Sequence, residues 1–513
     1  MANLALATMG VKARSQPLSI NAQIAILLVV HVLLWTWVGI SSRSNFDVPG
    51  DMVEAYVWGQ GWQWGYFKHP PLSAWVTGLW FCVVPESQAG FSLLAAVNSG
   101  IGLLGLAVLA REFLPARWVL LCVAAASLTP GITTLGMRFN ANAILISTWP
   151  WALAFFVRMM QRGRPLDAVL CGLACALAML GKYYSGVLLL TLVFAALWQP
   201  HWRGRLRTAT PWIAVAVFVM AIAPHLVWLL AQEQGPLQYA QKARLPQSRG
   251  DTLMRALHFA LAQWVFPIVA FVVFWLSLTG PKRGQGLWQA ITGFVRPRGD
   301  MVWLLAVLPV VATMLATVLT GARTASVWGL PIAAGVALLA SQRAQRSGAE
   351  LSLPRLWRAL GVFWCVVALL SPLMWHVRAR VQATAVIEPR EELAQAVVEA
   401  WRAEYPGALA SVTGSRTLAA SVAFYAVDRP RYWSMWNAAV ETPWFKAVDL
   451  VRLGGVIVCA TTDSVCQSMG ELRSAQRREI AVHKHVRGFQ FPSHHYVLYL
   501  LPPAVRGIGL PRP

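Results

Sequence analysis

Carboxylates are scarce in this chain, and two of them stand at a spacing that suits chemistry. There are 21 Asp and Glu residues, and about half lie beyond residue 377. Before that point, the acids in loops poor in Lys and Arg are Asp47, Asp51, Glu54, Glu86, Glu233 and Asp251. Asp51 and Glu54 are three apart and share one face if the segment is helical. They open an aromatic stretch that runs through Trp58, Trp62, Trp64 and Tyr66 to Lys68 and His69. Pro70-Pro71 then starts a second apolar segment, which fits two short helices lying at a membrane surface. The pattern alone leaves two readings open: an acid pair that does chemistry, or a structural loop with a helix-capping acid. Lys182 is a further candidate. It interrupts an apolar stretch, where an ionisable group is costly and usually has a role. Snorkelling to the interface is its alternative.

The elements that must position these groups are membrane helices. The chain has 513 residues, 57% hydrophobic and 12% charged, where soluble proteins carry about 25% charged residues. Apolar runs of membrane-crossing length occur near 22–40, 91–110, 118–136, 141–157, 166–181, 183–199, 211–231, 258–279, 301–320, 326–341 and 357–376. This predicts an α-helical polytopic membrane protein with about eleven spans, the two runs around Lys182 forming either two short helices or one broken one. The net charge of +22 sits in short clusters between these runs, so it marks loops at an anionic membrane face and not a nucleic-acid stripe. The 26 Trp residues suit interfacial anchoring or stacking on sugars.

One set of alternate loops holds Lys12 and Arg14, Arg111 and Arg117, Arg158, Arg162 and Arg164, Arg203, Arg205 and Arg207, Lys282 and Arg283, and Arg343 to Arg358. The positive-inside rule makes that set, and the N-terminus, cytoplasmic. The opposite side then carries a first loop (41–90), a middle loop (232–257) and residues 377–513. The last region has ordinary composition, with an acidic helical stretch from Glu388 to Glu404 and strand-like runs at Ala408–Val412, Val456–Ala460 and Tyr496–Leu501. We read it as a small C-terminal α/β periplasmic domain, separate from residues 1–376. The seven cysteines form no CxxC and no zinc spacing. Cys459 and Cys466 lie in the outer region, where a disulfide is permitted, and the sequence leaves paired or free open.

The order Asp51-x-x-Glu54, Trp58-Gly59 and Gly65-Tyr66-Phe67-Lys68-His69-Pro70-Pro71-Leu72-Ser73-Ala74-Trp75 resembles bacterial members of glycosyltransferase family 39. That group includes protein O-mannosyltransferases and the aminoarabinose transferase of lipid A. Arg138-Phe139-Asn140-Ala141-Asn142 with Trp149-Pro150, and the segment Gly172 to Lys182-Tyr183, resemble later features of the same family. Pro224 to Trp228 and Arg323 with Trp328 to Pro331 match it less specifically, and the resemblance spans residues 20–375. Ala419 to Tyr425 and Asp428-Arg429-Pro430 resemble the tail domain of the bacterial subgroup. One position departs: many relatives have an acid where this chain has Asn140 and Asn142. Neither amide can serve as a base or a charged metal ligand.

The resemblance implies a GT-C architecture in a bacterial inner membrane and a polyprenyl-phosphate sugar donor used on the periplasmic side. Such a donor carries its own leaving group, so one carboxylate acting as general base suffices for a single inverting displacement. On this reading Asp51 is the base and Glu54 its helper. Lys182, Arg138, Arg323 and Lys68 bind the donor phosphate. His69, Trp58, Trp62, Tyr66, Asn142 and Tyr183 contact substrate. No cofactor and no metal site is expected, and the partners are the donor, a lipid or glycan acceptor and the bilayer. The acceptor class stays open between lipid A, lipopolysaccharide core, another glycan and protein. The competing functions are a transporter or flippase for an amphiphile and a non-catalytic scaffold. A transporter would show internal repeats or broken helices at the midplane, whereas this chain concentrates acids in an outer loop.

Overall fold

In the computed structural model the first apolar run is one helix, α1 (Ile20–Ser41), capped by Ser19 through its side chain to the amide of Ala22. The structure describes residues 18–43, 47–232, 235–236, 238–239, 248–295, 300–381, 387–473, 476–486 and 488–504. Lys12, Arg14 and Glu233 lie outside them.

Each expected apolar run is helical over at least part of its length, but six helical segments among the described residues are long and apolar enough to cross a membrane. They are α1, α4 (Gln88–Ala110), α10 (Ala209–Leu230), Arg249–Ser277, α14 (Met301–Thr320) and Leu353–Val381. Between them in chain order come α2 (Gly50–Gly59), α3 (Leu72–Phe81), α5 (Ala116–Ala126), α6 (Ile144–Arg162), α7 (Pro165–Gly181), α8 (Gly186–Trp198), α9 (Pro200–Arg205) and α13 (Arg283–Thr292). The Arg249–Ser277 span is two helices, α11 (Arg249–Val265) and α12 (Ile268–Ser277), broken at Pro267, which has no amide proton to donate. After α15 (Ala333–Arg346), the last span consists of α16 (Leu353–Leu370), a 3-10 turn and α17 (Met374–Val381).

One expected span needs correction, and one open alternative is decided. The run 118–136 is helical only to Ala126, because Pro130-Gly131 follows and the chain turns on itself. Its buried backbone stays satisfied, since the hydroxyls of Ser127, Thr129 and Thr133 donate to the carbonyls of Ala124, Ala126 and Thr129. Around Lys182 the helix is broken. Lys182 is extended (φ −165°, ψ 140°), and Ser185 donates to the Ala178 carbonyl at 2.7 Å.

The helices run end to end in a consistent sense. Trp357 bonds Gln23, Trp37 bonds the Ala368 carbonyl and Ser41 bonds Ser371, so α16 lies parallel to α1. Arg111 at the end of α4 reaches Asn21 at the start of α1. Nearby, Glu112 pairs with Arg158 and Arg162. This end gathers the basic loops, and the opposite end carries α2, α3 and everything after α17. Between α2 and α3 the backbones touch: a Cβ on Gly59 would sit 2.7 Å from the Ala74 carbonyl, and one on Gly78 equally close to the Gly59 carbonyl. Glycine at both positions is what lets these two short helices cross.

The C-terminal part folds as expected into an α/β layer. Strands β1 (Ser411–Gly414), β2 (Arg431–Tyr432), β3 (Gly455–Ala460), β4 (Gln476–Val482) and β5 (His494–Leu501) form a sheet of order β2-β1-β3-β5-β4. The first three strands are parallel and the last pairings antiparallel, with Val412 opposite Val456 and Ile457 opposite Tyr499. Helices α18 (Arg390–Arg402) and α19 (Arg416–Tyr425) pack against it, and α19 also packs on α2. Cys459 and Cys466 are joined in a disulfide with a Cα–Cα distance of 5.6 Å.

This layer is fastened to the outer loop by a buried charge pair. The Lys484 Nζ lies 2.8 Å from Asp47 Oδ1 and 3.1 Å from Glu392, with the Lys484 and Asp47 side chains 0% and 2% exposed. Asp47 Oδ2 also accepts from the Arg390 amide at 2.9 Å, and the Val48 amide donates to the Tyr425 hydroxyl at 2.8 Å. Breaking such a pair strands a buried charge. Lys484→Met is therefore expected to destabilise the protein by about 3–5 kcal/mol, and adding Asp47→Asn should recover most of that. Thermal unfolding of the two variants in detergent checks it.

Candidate active site

Asp51 sits in the first turn of α2, after Pro49 at the cap, where the helix dipole favours a carboxylate. Its Oδ2 accepts a hydrogen bond from Asn140 Nδ2 at 2.5 Å. The orientation of Asn140 is fixed by its other end: its Oδ1 accepts from the amides of Asn142 (2.8 Å) and Ala143 (3.1 Å). The amide nitrogen must then face Asp51. Among the described residues the Asp51 Oδ1 has no hydrogen-bond partner. Asn140 is thus a neutral donor to the Asp51 carboxylate.

Glu54, one turn on, forms an ion pair with Lys68 at 2.5 Å. Burial pushes its pKa above the usual range, Lys68 pulls the other way, and Asp51 and Glu441 add to the rise. Asp51, Glu54 and Lys68 line one cavity of about 250 Å³, together with Trp58, Phe67 and five residues of the C-terminal layer. Those five are Arg416, Thr417, Ala420, Tyr432 and Glu441. Arg416 pairs with Glu441 through two hydrogen bonds and lies 5.6 Å from the Phe67 ring centre. Ser434 also donates to Glu441, at 2.7 Å. The cavity thus has a charged floor and an aromatic wall, and the C-terminal layer forms its cover. The sequence held no sign of these five residues, because they approach Asp51 only through the tertiary fold.

The other expected site residues fall into separate groups. Lys182 donates to Asn142 and lies 4.5 Å from the Trp328 ring centre. One short segment, 138–142, therefore links Lys182 to the Asp51 anchor. Tyr183 donates its hydroxyl to His225 Nε2 at 3.0 Å, because His225 Nδ1 faces the Trp64 carbonyl at 2.6 Å and must carry the proton there. This ties Tyr183 and the aromatic loop together. Arg138 is exposed and is placed beside Arg43, and Arg323 is exposed without a hydrogen bond or ion pair to any described residue.

Three of the expected substrate residues do not line this cavity. Tyr66 is 1% exposed and stacked on Trp58 at 5.3 Å, behind the wall. Trp62 is exposed at a positive φ of 47°, and it does not line the cavity. His69 has its pKa pushed down to about 3 by burial, then by Lys182 and Lys68. It is an uncharged ring at neutral pH, and its carbonyl accepts from the Tyr66 amide to close the turn. Among the outer acids, Asp251 is exposed in a first helical turn, its backbone amide donating to the Ser248 cap, and Glu86 meets Arg429 of the C-terminal layer. No three His, Cys, Asp or Glu side chains among the described residues are grouped as a metal ion would require.

Residues 68–228 match the family model described as dolichyl-phosphate-mannose-protein mannosyltransferase, PMT_2. The lipid A galacturonosyltransferase RgtD of Rhizobium johnstonii is 27% identical over 311 residues, covering 57% of this chain and 60% of that protein. The crystal structure of ArnT from Cupriavidus metallidurans superposes with a TM-score of 0.61 at 15% identity, over 96% of this chain and all of that one. The chain shares the fold of this structure, and its segment 68–228 resembles the PMT_2 family. The same ArnT bound to undecaprenyl phosphate gives a TM-score of 0.58, over 95% of this chain at 15% identity. Apolar helices and membrane-protein relatives together make this a multi-pass membrane protein.

The Asn140–Asp51 contact generates a prediction with a pH readout. Asn140→Asp puts a second carboxylate against Asp51, so the pair shares a proton and one member stays protonated to higher pH. The acid limb of the kcat/KM profile should move to higher pH in this variant, while Asn140→Ala should lower activity without that displacement.

Proposed function

We propose that this protein is an inverting glycosyltransferase that moves a sugar from a polyprenyl-phosphate donor to an envelope acceptor. The observation that carries the reading is Asp51, a carboxylate held by a neutral amide at the edge of a sugar-sized cavity, with one oxygen unpartnered among the described residues. In the displacement, Asp51 takes the proton of the acceptor hydroxyl as that oxygen attacks the anomeric carbon. The donor phosphate leaves as an anion, stabilised by Lys182. Glu54 is occupied by Lys68 and orients substrate; it is not a second nucleophile. Trp58 and Phe67 give the sugar an apolar face to stack on.

The relatives support this chemistry. RgtD is a lipid A galacturonosyltransferase by name, and ArnT has been captured with undecaprenyl phosphate. We extend the proposal to a lipid-anchored acceptor such as lipid A and to a hexosyl or pentosyl donor, a reading this kinship supports. We place the cavity on the periplasmic side of the inner membrane, with the N-terminus cytoplasmic and about eleven spans. The basic loops gathered at the opposite end and the Cys459–Cys466 disulfide in the outer layer both favour this side. We take residues 377–513 as the domain that covers the site.

Removing a positioned general base lowers rates by about 10²–10⁴-fold. Asp51→Asn in liposomes should show that loss in transfer from radiolabelled undecaprenyl-phosphate sugars to an envelope lipid extract, with undecaprenyl-phosphate binding retained. A folded Asp51→Asn protein that transfers at the wild-type rate would overturn the assignment.

A further inference from the structure

The segment 138–142 ends in a second cationic place, distinct from Lys182. At one end of the segment, Asn142 accepts from Lys182; in the middle, Asn140 holds Asp51; at the other end stands Arg138. Three elements converge there. Ser41 at the end of α1 bonds Ser371 at 2.8 Å, and α17 with Arg378 follows from that point. A Cβ on Gly39 would lie 3.1 Å from the Met137 side chain, which brings Arg138 up to the same end of α1. Arg43, two residues past Ser41, is pinned by a 2.8 Å bond to the Asp47 carbonyl.

Arg43, Arg138 and Arg378 are thus gathered in one region, near enough for their charges to repel. Burial, then Arg378 and Arg138, push the Arg43 pKa down to about 10 against the pull of Tyr425 and Asp47. The Asp47 carboxylate is already committed to Lys484 and the Arg390 amide. Arg138 and Arg378 form no ion pair with any described carboxylate. Like charges gathered in a half-desolvated place are unfavourable until an anion joins them, and guanidinium forks match phosphate oxygens. Directly below, α1 and α17 expose apolar side chains: Trp37 is 49% exposed, Leu373 56%, Val377 54% and Met374 44%. A phosphate above and hydrocarbon below describe an amphiphile lying at the membrane surface.

We propose that Arg43, Arg138 and Arg378 bind the phosphate of an amphipathic acceptor lipid, on the side of Asp51 away from Lys182. This rests on the transferase reading above and deepens it. Base-assisted displacement needs the acceptor hydroxyl at Asp51 and the donor phosphate on the far side of the anomeric carbon. Two cationic places at the two ends of one short segment, with the base anchored between them, supply that arrangement. Arg138, expected from sequence to serve the donor, moves to the acceptor.

The test measures binding, without turnover, to the full-length protein in neutral phosphatidylcholine nanodiscs. The probes are bisphosphorylated lipid A, the same lipid stripped of both phosphates, undecaprenyl phosphate and phosphatidylglycerol. Wild-type protein should bind the bisphosphorylated lipid at least tenfold more tightly than the stripped one. Arg138→Gln/Arg378→Gln should lose that preference and keep its undecaprenyl-phosphate affinity within twofold. Unfolding temperature confirms folding, and Arg378→Gln alone, expected to lose part of the preference, serves if the double variant fails to fold. Loss of undecaprenyl-phosphate binding in place of lipid A binding would assign the cluster to the donor and overturn the proposal. Equal affinity for phosphatidylglycerol would make it an ordinary lipid headgroup site and overturn it also, as would a wild-type protein indifferent to the phosphates. Because no transfer is read, each of these failures leaves the transferase reading to be judged by the Asp51→Asn assay.

Discussion

The arrangement depends on one hydrogen bond between a carboxylate and an uncharged amide. Asn140 Nδ2 meets Asp51 Oδ2 while its own oxygen is used up by two backbone amides, so it cannot turn away or offer an acceptor. A donor of this kind steadies a carboxylate without neutralising it and without bringing a competing proton site. An acid at this place would instead repel Asp51 or share its proton. The neighbouring Glu54 is treated in the opposite way, given a cation of its own and largely enclosed. Two carboxylates one helical turn apart are therefore set to different tasks by their partners.

That arrangement needs α2 held still, and the chain holds it from outside the helical bundle. The Lys484–Asp47 pair, the Arg390 amide and the Tyr425 hydroxyl all seize Asp47 and Val48, just before α2. Buried ion pairs add little net stability against an apolar substitute, yet they punish any other arrangement, which makes them useful for fixing register. Here the fixed register places Arg416, Thr417 and Glu441 over Asp51 and closes the cavity. Stability of the C-terminal layer and geometry at the candidate base are thus one problem. A change at Lys484, 433 positions from Asp51 along the chain, acts on the site through two packed segments.

Much of this was legible before the fold was known, wherever the signal is local. Asp51 and Glu54 announce a shared helix face by spacing alone. Pro70 and Pro71 punctuate the start of the second short helix, and the strand-like runs Val456–Ala460 and Tyr496–Leu501 are strands. The break at Lys182 showed as a charge inside an apolar run. What stayed hidden depends on long-range partners. Tyr66 reads like any interfacial aromatic until Trp58 covers it. Arg416 and Glu441 sit in a stretch with no motif, and nothing local says that their pair faces Phe67. The run 118–136 misled because apolar content does not record that Pro130-Gly131 can turn inside a membrane bundle once hydroxyls satisfy the carbonyls.

The account stands or falls on a single displacement with one base. A second carboxylate free to act as nucleophile would give two displacements and keep the anomeric configuration, whereas Asp51 acting alone inverts it. The decisive measurement is the anomeric configuration of the transferred sugar, determined by NMR on donor and isolated product from the same reaction. The structure predicts inversion, with Glu54 locked to Lys68 throughout. Retention would contradict it and would require a covalent sugar–enzyme intermediate that this arrangement of Asp51, Asn140 and Glu54 does not provide.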